Sequence, residues 1–434
     1  MVEPSTAEQV DERSSSARVL ARSQHPISRS RIHPNALKVL YRLERSGHLA
    51  FLVGGSVRDL MLGGRPKDFD VATDASPEEV RRLFRNSRII GRRFRLVHVY
   101  FHGFIVEVST FRSVPDPDAQ AGVGELLVTD DNVFGTPKQD AFRRDFTVNA
   151  LFYSIADFSV LDYVGGVEDL EHQLIRVIGD PDLRLREDPV RMMRACEMAG
   201  RLGFGIEEEA QRAIRRHSGE IAKAAPARLV EELLDLLHCG HAGSAVEWMN
   251  DLGLADVLLP EVRSVVEAER EGLGSFGEVI PVIDRIVLSG RELSDSLLLS
   301  GLLVPAVLLA RHRRETKLGR PLSRAAVRRL AESSVASLGT RLSLSNVRAQ
   351  RTALTLTLFQ RLCEPPPLDW RVSEVTTHPA YADAVHLFEM LIEATGEGEE
   401  SLEAWRAAAL DTEGAPPSRR PKRRRRSRPR HRKH

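Results

Sequence analysis

Ala50-Phe-Leu-Val-Gly-Gly-Ser-Val-Arg-Asp-Leu60, followed by Asp68-Phe-Asp-Val-Ala-Thr73, is the stretch on which the reading of this 434-residue chain turns. Phe51 to Val53 is a short β-rich apolar run, Gly54-Gly55 punctuates it, and the spacing over 56–62 predicts a helix. The run from Asp68 to Thr73 predicts a strand. Residues two apart on a strand share a face, so Asp68 and Asp70 project together while Phe69 and Val71 enter the core. Two anions side by side repel, and a divalent cation would make the arrangement stable. Taken alone, D-x-D also fits a solvated strand face or a turn.

Outward from that stretch, 77–85 reads as a helix and 95–100 and 103–111 as strands. In the last of these, Phe104, Val106 and Val108 alternate with Ile105, Glu107 and Ser109, which puts Glu107 opposite the apolar row. A third carboxylate on a neighbouring strand is placed to join the first two, and three acids around hard cations suit two-metal phosphoryl chemistry. A solvent-facing strand residue is the plainer reading of Glu107. Gly54-Gly55 with Arg58 one turn into the helix suits an anion, because glycine admits close backbone approach and a helix start favours negative charge. A tight strand-to-helix turn wants glycine too. No G-x-x-x-x-G-K-[ST] run is present, which excludes a P-loop.

The segment 114–139, rich in Pro, Gly and Asp, reads as a long loop and a candidate site lid. Beyond about residue 180 apolar residues at helical spacing dominate, and the remainder reads as all-helical, with a break at Pro365-Pro366-Pro367. The longest apolar stretch, 297–310, is interrupted by Ser300, Gly301 and Pro305 and falls short of the ~20 residues that span a bilayer, so no transmembrane segment is expected. Three scattered cysteines, Cys196, Cys239 and Cys363, make no disulfide framework and point to a reducing compartment, the cytoplasm.

Charge is unevenly placed. Eleven of the 62 Lys/Arg fall in residues 419–434, which leaves 51 against 61 Asp/Glu and a balance of −10 before the tail. Such a tail is expected to be a disordered arm attracted to polyanions, with Arg423, Arg424, Arg425 and Arg426 as RNA-binding candidates.

Leu52-Val-Gly-Gly-Ser-Val-Arg-Asp-Leu60 followed by Asp68-Phe-Asp70 resembles the opening signature of the class II template-independent nucleotidyltransferases, the bacterial poly(A) polymerases and the CCA-adding tRNA enzymes. Arg143-Arg-Asp-Phe-Thr-Val-Asn149 resembles their second motif, and Glu187-Asp-Pro-Val-Arg-Met-Met-Arg194 their nucleotide-selecting motif. The resemblance covers about 50–262. It implies that Asp68, Asp70 and Glu107 are catalytic and bind two Mg²⁺ ions, and that Gly54, Gly55 and Arg58 hold the triphosphate. It places Arg144, Asp145 and Asn149 at the ribose and phosphates, and Asp188, Arg191 and Arg194 on the motif that reads the base. Asp188 before Pro189 also fits a helix N-cap with proline at N1.

Ile89-Ile-Gly-Arg-Arg-Phe-Arg-Leu-Val-His-Val99 is similar to the stretch associated with poly(A) polymerases, and Arg92 and Arg93 would add RNA-binding charge at the site's rim. No His-Asp dipeptide occurs, so the phosphohydrolase domain of some CCA-adding enzymes is not supported. After Arg194 the family continues Arg-Ala-x-Arg-Phe, whereas this chain has Arg194-Ala-Cys-Glu197-Met198.

The expected fold is α+β. A disordered lead-in (1–34) precedes a nucleotidyltransferase head with a small mixed sheet (35–179), a helical neck (180–262), a helical body of RNA-binding character (263–412) and the disordered basic tail (413–434). The expected activity is addition of AMP from ATP to RNA 3′ ends with release of pyrophosphate, with CCA addition to tRNA and a silent RNA-binding scaffold as the alternatives.

Overall fold

The computed structural model describes residues 17–91, 95–113, 134–272, 279–366 and 371–413. The expectations for Arg92, Arg93, the tail arginines Arg423 to Arg426 and most of the lid, 114–133, lie outside the described residues. The chain divides into two compact units, Met1–Pro260 and Glu261–His434.

The first unit is built on an eight-stranded sheet. Its elements are β1 (Arg18–Leu20), α1 (Pro34–Arg45), β2 (Ala50–Val53), α2 (Gly55–Met61), β3 (Asp70–Thr73), α3 (Pro77–Leu83), β4 (Ser87–Ile90), β5 (Leu96–Phe101), β6 (Phe104–Thr110), α4 (Pro137–Arg143), β7 (Leu151–Ser154), β8 (Val160–Asp162) and α5 (Gly166–Glu171). The strand order is β1-β8-β7-β2-β3-β6-β5-β4, and all neighbours are antiparallel except β3 and β6. Phe51, Phe111 and Phe152 meet on one face of the sheet with ring centroids about 6 Å apart, packed with Val53, Ala72 and Ile178. Edge and tilted contacts of this kind fill a core with large apolar area.

Several elements differ from expectation. The lead-in is structured from Arg18, where β1 joins the sheet edge beside β8. Buried Leu20, Ile27 and Ile32 anchor it, and His25 Nε2 lies 2.9 Å from the Phe158 carbonyl oxygen. A three-residue strand among arginines and serines leaves no periodicity to read. The last part of the expected loop is α4, started by a capping box in which Thr136 and Gln139 satisfy each other's backbone N–H groups. Asp68 stands outside β3, exposed in the loop before it, so only Asp70 follows the strand alternation.

The unit continues through β9 (Leu174–Ile175), α6 (Pro181–Glu187), α7 (Val190–Leu202), β10 (Gly205–Ile206), α8 (Glu208–His217), α9 (Pro226–His238), α10 (Ala242–Asp251) and α11 (Leu254–Leu258). The helix α12 (Pro260–Arg270) begins at the division between the units.

The second unit is helical throughout its described residues: α13 (Val279–Leu288), α14 (Asp295–Leu318), α15 (Arg324–Leu342), α16 (Asn346–Leu362), α17 (Arg371–Thr376), α18 (Tyr381–Thr395) and α19 (Glu399–Glu413). The 24-residue α14 runs through Ser300, Gly301 and Pro305 without a break, and it is long and apolar enough to cross a bilayer by length and composition alone. Here 72% of its apolar window is buried inside the protein, as in a core helix. Gly301 sits against α13, where a Cβ would stand 2.5 Å from Ile283 Cδ1, so a larger residue there would require that side chain to shift.

Candidate active site

The parallel pairing of β3 and β6 puts Asp70 in register with Glu107, on strands whose other faces bury Val71 and Val108. Asp70 is largely enclosed. Burial first, then the nearby Glu107, pushes its carboxyl up to about 6, with Asp68 adding to the repulsion and Arg144 and Arg194 opposing it. Glu107, half exposed, turns its carboxylate to His98 on β5, whose Nε2 lies 2.9 Å away. Among the described residues no group of three or more His, Cys, Asp or Glu side chains is placed to hold a metal ion. The surplus of negative charge around Asp70 and Asp68 nevertheless suits a hard divalent cation, which proteins commonly bind with one or two carboxylates and leave the substrate's phosphates to complete.

Gly54 opens the space beside Asp70. Its φ of +72° is one that side-chain-bearing residues rarely adopt, and a Cβ there would lie 3.4 Å from Asp70 Oδ2 and 3.7 Å from Arg144 Nη1. Gly55 adjoins Arg58, whose Nη2 would be 3.2 Å from a Cβ. Arg58 itself is buried and its donors are spent inside the protein. Nη1 donates to Asn149 Oδ1 at 2.6 Å and Nε to Asp59 Oδ1 at 2.9 Å. Burial pulls the Arg58 guanidinium below its ordinary value despite Asp59. In this arrangement Arg58 supports Asn149.

The turn after α4 gathers the second motif. Arg144 donates from Nη2 and Nε to Asp140 Oδ2 at 2.9 and 3.2 Å, and its guanidinium lies 5.2 Å from the Phe152 ring centre. Asp145, buried, accepts from the Phe146 N–H at 2.8 Å and from Asn149 Nδ2 at 3.3 Å. Its other oxygen, Oδ2, has no hydrogen-bond donor but lies 3.0 Å from Arg194 Nη2, a charge contact out of hydrogen-bond alignment. Burial alone would raise the Asp145 carboxyl, but Arg194 with the two donors holds it below the usual carboxylate range.

The third motif straddles α6 and α7. Asp188 does not cap α7, which starts from Pro189 without a side-chain cap. Its carboxylate is held by both ends of the Arg228 guanidinium, at 2.7 and 2.9 Å. Arg191 Nη1 donates to the Arg184 carbonyl at 2.8 Å, and Arg184 Nη2 in turn reaches the carbonyls of Arg143 and Arg144 at 2.7 and 3.0 Å. Glu197, where the family's motif is basic, accepts from Arg201 Nε at 2.7 Å, and Arg201 lies 4.0 Å from Asp59. Met198 places its sulfur 3.2 Å from Asn149 Nδ2. Glu197 thus joins the charge network behind Arg58.

Glu232 on α9 lies in the same electrostatic environment. Burial pushes its carboxyl up to about 7 against the pull of Arg194, and Asp235 adds to the rise. The folded protein therefore keeps this proton to higher pH than the unfolded chain, and stability falls as pH rises from about 4.5 through 7. The loss is at most about 3 kcal/mol, reduced by the water the side chain still meets. Glu232→Gln is expected to flatten that part of the profile, read as urea midpoints at pH 5 and pH 7.5; an unchanged slope would count against the assignment.

Residues 50–176 match the family described as Poly A polymerase head domain, and 203–265 match the one described as Probable RNA and SrmB-binding site of polymerase A. The chain is 50% identical over 250 residues to Poly(A) polymerase I of Escherichia coli O6:H1, covering 56% of this chain and 54% of that one. It is 39% identical over 297 residues to Poly(A) polymerase I of Haemophilus influenzae, covering 67% and 64%. A CCA-adding enzyme of Bacillus velezensis matches at 35% over 229 residues, 51% of this chain and 55% of that one. The chain thus spans about half the length of the curated relatives it matches. Among solved structures, the Bacillus stearothermophilus CCA-adding enzyme in complex with CTP shares the fold with a TM-score of 0.60 at 23% identity, over 88% of this chain and 83% of that one.

Within the segment that matches the poly A polymerase head and the helices that follow it, the structure draws Gly54, Asp70, Arg144, Asp145, Asn149 and Arg194 into one neighbourhood. Asp188 and Arg191 bracket the start of α7. Sequence reading missed Arg228, Arg184 and His98, each of which holds a motif residue from another element. A lone arginine in a leucine-rich helix, as Arg228 is in α9, carries no local signal of its partner.

Proposed function

We propose that the protein adds AMP from ATP to RNA 3′ ends without a template, releasing pyrophosphate. The observation that carries this reading is the largely enclosed Asp70, in register with Glu107 and next to Arg144 and Arg194, within a segment that matches the poly A polymerase head. Asp68 and Asp70 would hold Mg²⁺, with Glu107 able to join by turning from His98. Magnesium bound there would acidify the attacking 3′-hydroxyl and stabilise the departing pyrophosphate. The RNA O3′ bonds to the α-phosphorus as the bond to the β-phosphate oxygen breaks, and the hydroxyl proton passes to solvent. The chain's own residues position and screen: Gly54 leaves room for a phosphate beside Asp70, and Arg144 offers a guanidinium steered by Asp140. Asp145 and Asn149 form a rigid polar floor suited to a ribose.

Arg191, with Asp188 fixed by Arg228, offers donors and an acceptor suited to a base edge. Arg228→Ala would free Asp188 to reorient, and discrimination of ATP over CTP is expected to fall by about 10- to 100-fold, the equivalent of ~1–3 kcal/mol. Single-turnover addition with each nucleotide measures it, and unchanged discrimination would assign Arg228 to stability alone.

The test of the whole reading uses purified protein, Mg²⁺, single nucleotides, and either an unstructured RNA or a tRNA lacking its 3′ end. A long ladder with ATP supports poly(A) synthesis. A stop after CTP and ATP on tRNA would replace it with CCA addition, and no product on either would leave a silent scaffold. Three cysteines, all without disulfides, accord with work in a reducing compartment such as the cytoplasm.

A further inference from the structure

The corner where α14 turns into α15 concentrates positive charge that the proposed chemistry does not use. Between Arg311 and Arg329 the chain has eight Lys/Arg and one acid, Glu315. That acid is engaged, accepting from Arg311 Nε at 3.0 Å and from the Leu322 N–H at 2.9 Å. Two acids from elsewhere take further cations: Glu364 pairs with Arg324 at 2.9 Å, and Glu332 lies 3.5 Å from Arg328. Arg313, Arg314, Lys317, Arg320 and Arg329 remain, all exposed and without an acidic partner among the described residues.

Local helix stability does not account for the cluster. Lys317 suits the negative C-terminal end of α14, but Arg313 and Arg314 stand three or four residues before it, a spacing at which like charges repel. The first two turns of α15 carry Arg324, Arg328 and Arg329 and no acid in the first turn, against the positive end of that helix. Repulsion of this kind is relieved by an external polyanion. No Phe, Tyr or Trp occurs between Arg311 and Leu358, so the corner has no platform for stacking bases, and its guanidinium groups are suited to phosphates.

The geometry points to this corner as a sequence-independent track for the phosphates of single-stranded RNA, formed by Arg313, Arg314, Lys317, Arg320 and Arg329. The choice of RNA as the polyanion rests on the function proposed above. Residues 203–265, matched to the RNA-binding family, do not include it.

The test compares the full chain with a variant carrying Gln at all five positions. Fluorescence anisotropy with an unstructured 20-nucleotide RNA across a KCl series gives the slope of log K against log salt. Each lost contact should flatten it by about 0.7, so a reduction of roughly 2 to 3.5 is expected. A second variant, with the four arginines replaced by Lys, should keep the slope, and AMP addition to a saturating trinucleotide primer should stay within about twofold in both. An unchanged slope in the Gln variant overturns the proposal, as does equal flattening in the Lys variant. So does a variant that loses only its retention on phosphatidylglycerol vesicles, which would assign the corner to a lipid surface. If the slope falls but the unaltered chain adds no nucleotide to any primer, the track stands and the proposed activity fails.

Discussion

Asp70→Asn is expected to abolish nucleotide addition while raising the melting temperature of the metal-free protein. The carboxylate sits in a poorly hydrated position beside Glu107 and Asp68, and its carboxyl is pushed up to about 6. At pH 7 the folded chain bears an anion there that the unfolded chain would hold at much lower cost. An amide of the same shape removes that penalty, up to about 3 kcal/mol, which is several degrees for a unit of this size. Loss of the proposed cation site would remove several kcal/mol of transition-state charge stabilisation, so activity should drop by about 10³-fold or more. Calorimetry without metal and single-turnover addition with Mg²⁺ check the two halves. Retained activity would dismiss Asp70 as a metal ligand; a lowered melting temperature would dismiss the account of its burial.

Arg194→Ala should be among the most destabilising exchanges in the first unit, at about 3–5 kcal/mol. It leaves Asp145, 9% exposed, with an oxygen that has neither cation nor hydrogen-bond donor. The reverse exchange should cost less, because Arg194 keeps 42% of its side chain in water and can rehydrate. Adding Asp145→Asn to Arg194→Ala should recover a large part of the loss, since the buried charge is then gone. Denaturant unfolding of the two single variants and the double variant gives the coupling. Additive losses would mean that the pair does not act as a unit.

Legibility in the sequence followed locality. The α+β head, the helical remainder and the alternation that turns Glu107 away from the core were readable because period-2 and period-3.6 patterns are carried by consecutive residues. Asp68 was read one element too far, since a strand pattern extends naturally through Phe69 although pairing begins at Asp70. The apolar stretch 297–310 reads as interrupted at Ser300, Gly301 and Pro305, yet α14 runs through all three, its leucines buried on both sides of the proline. At the site, the motif residues were legible and their holders were not. Arg228 lies 40 residues from Asp188 and Arg58 lies 91 from Asn149, separations at which only the folded chain defines the pair. The hold of His98 on Glu107 depends on strand register, which no spacing along the chain reveals.

Among the strand pairings of the main sheet, β3 with β6 is the one that runs parallel, and it joins positions 37 residues apart through the detour of α3, β4 and β5. A slip of one position there would set Val106 or Val108 beside Asp70 and send the glutamate to the opposite side. A chain that mis-threads this crossover would therefore lack the Asp70–Glu107 pair on which the proposed activity rests.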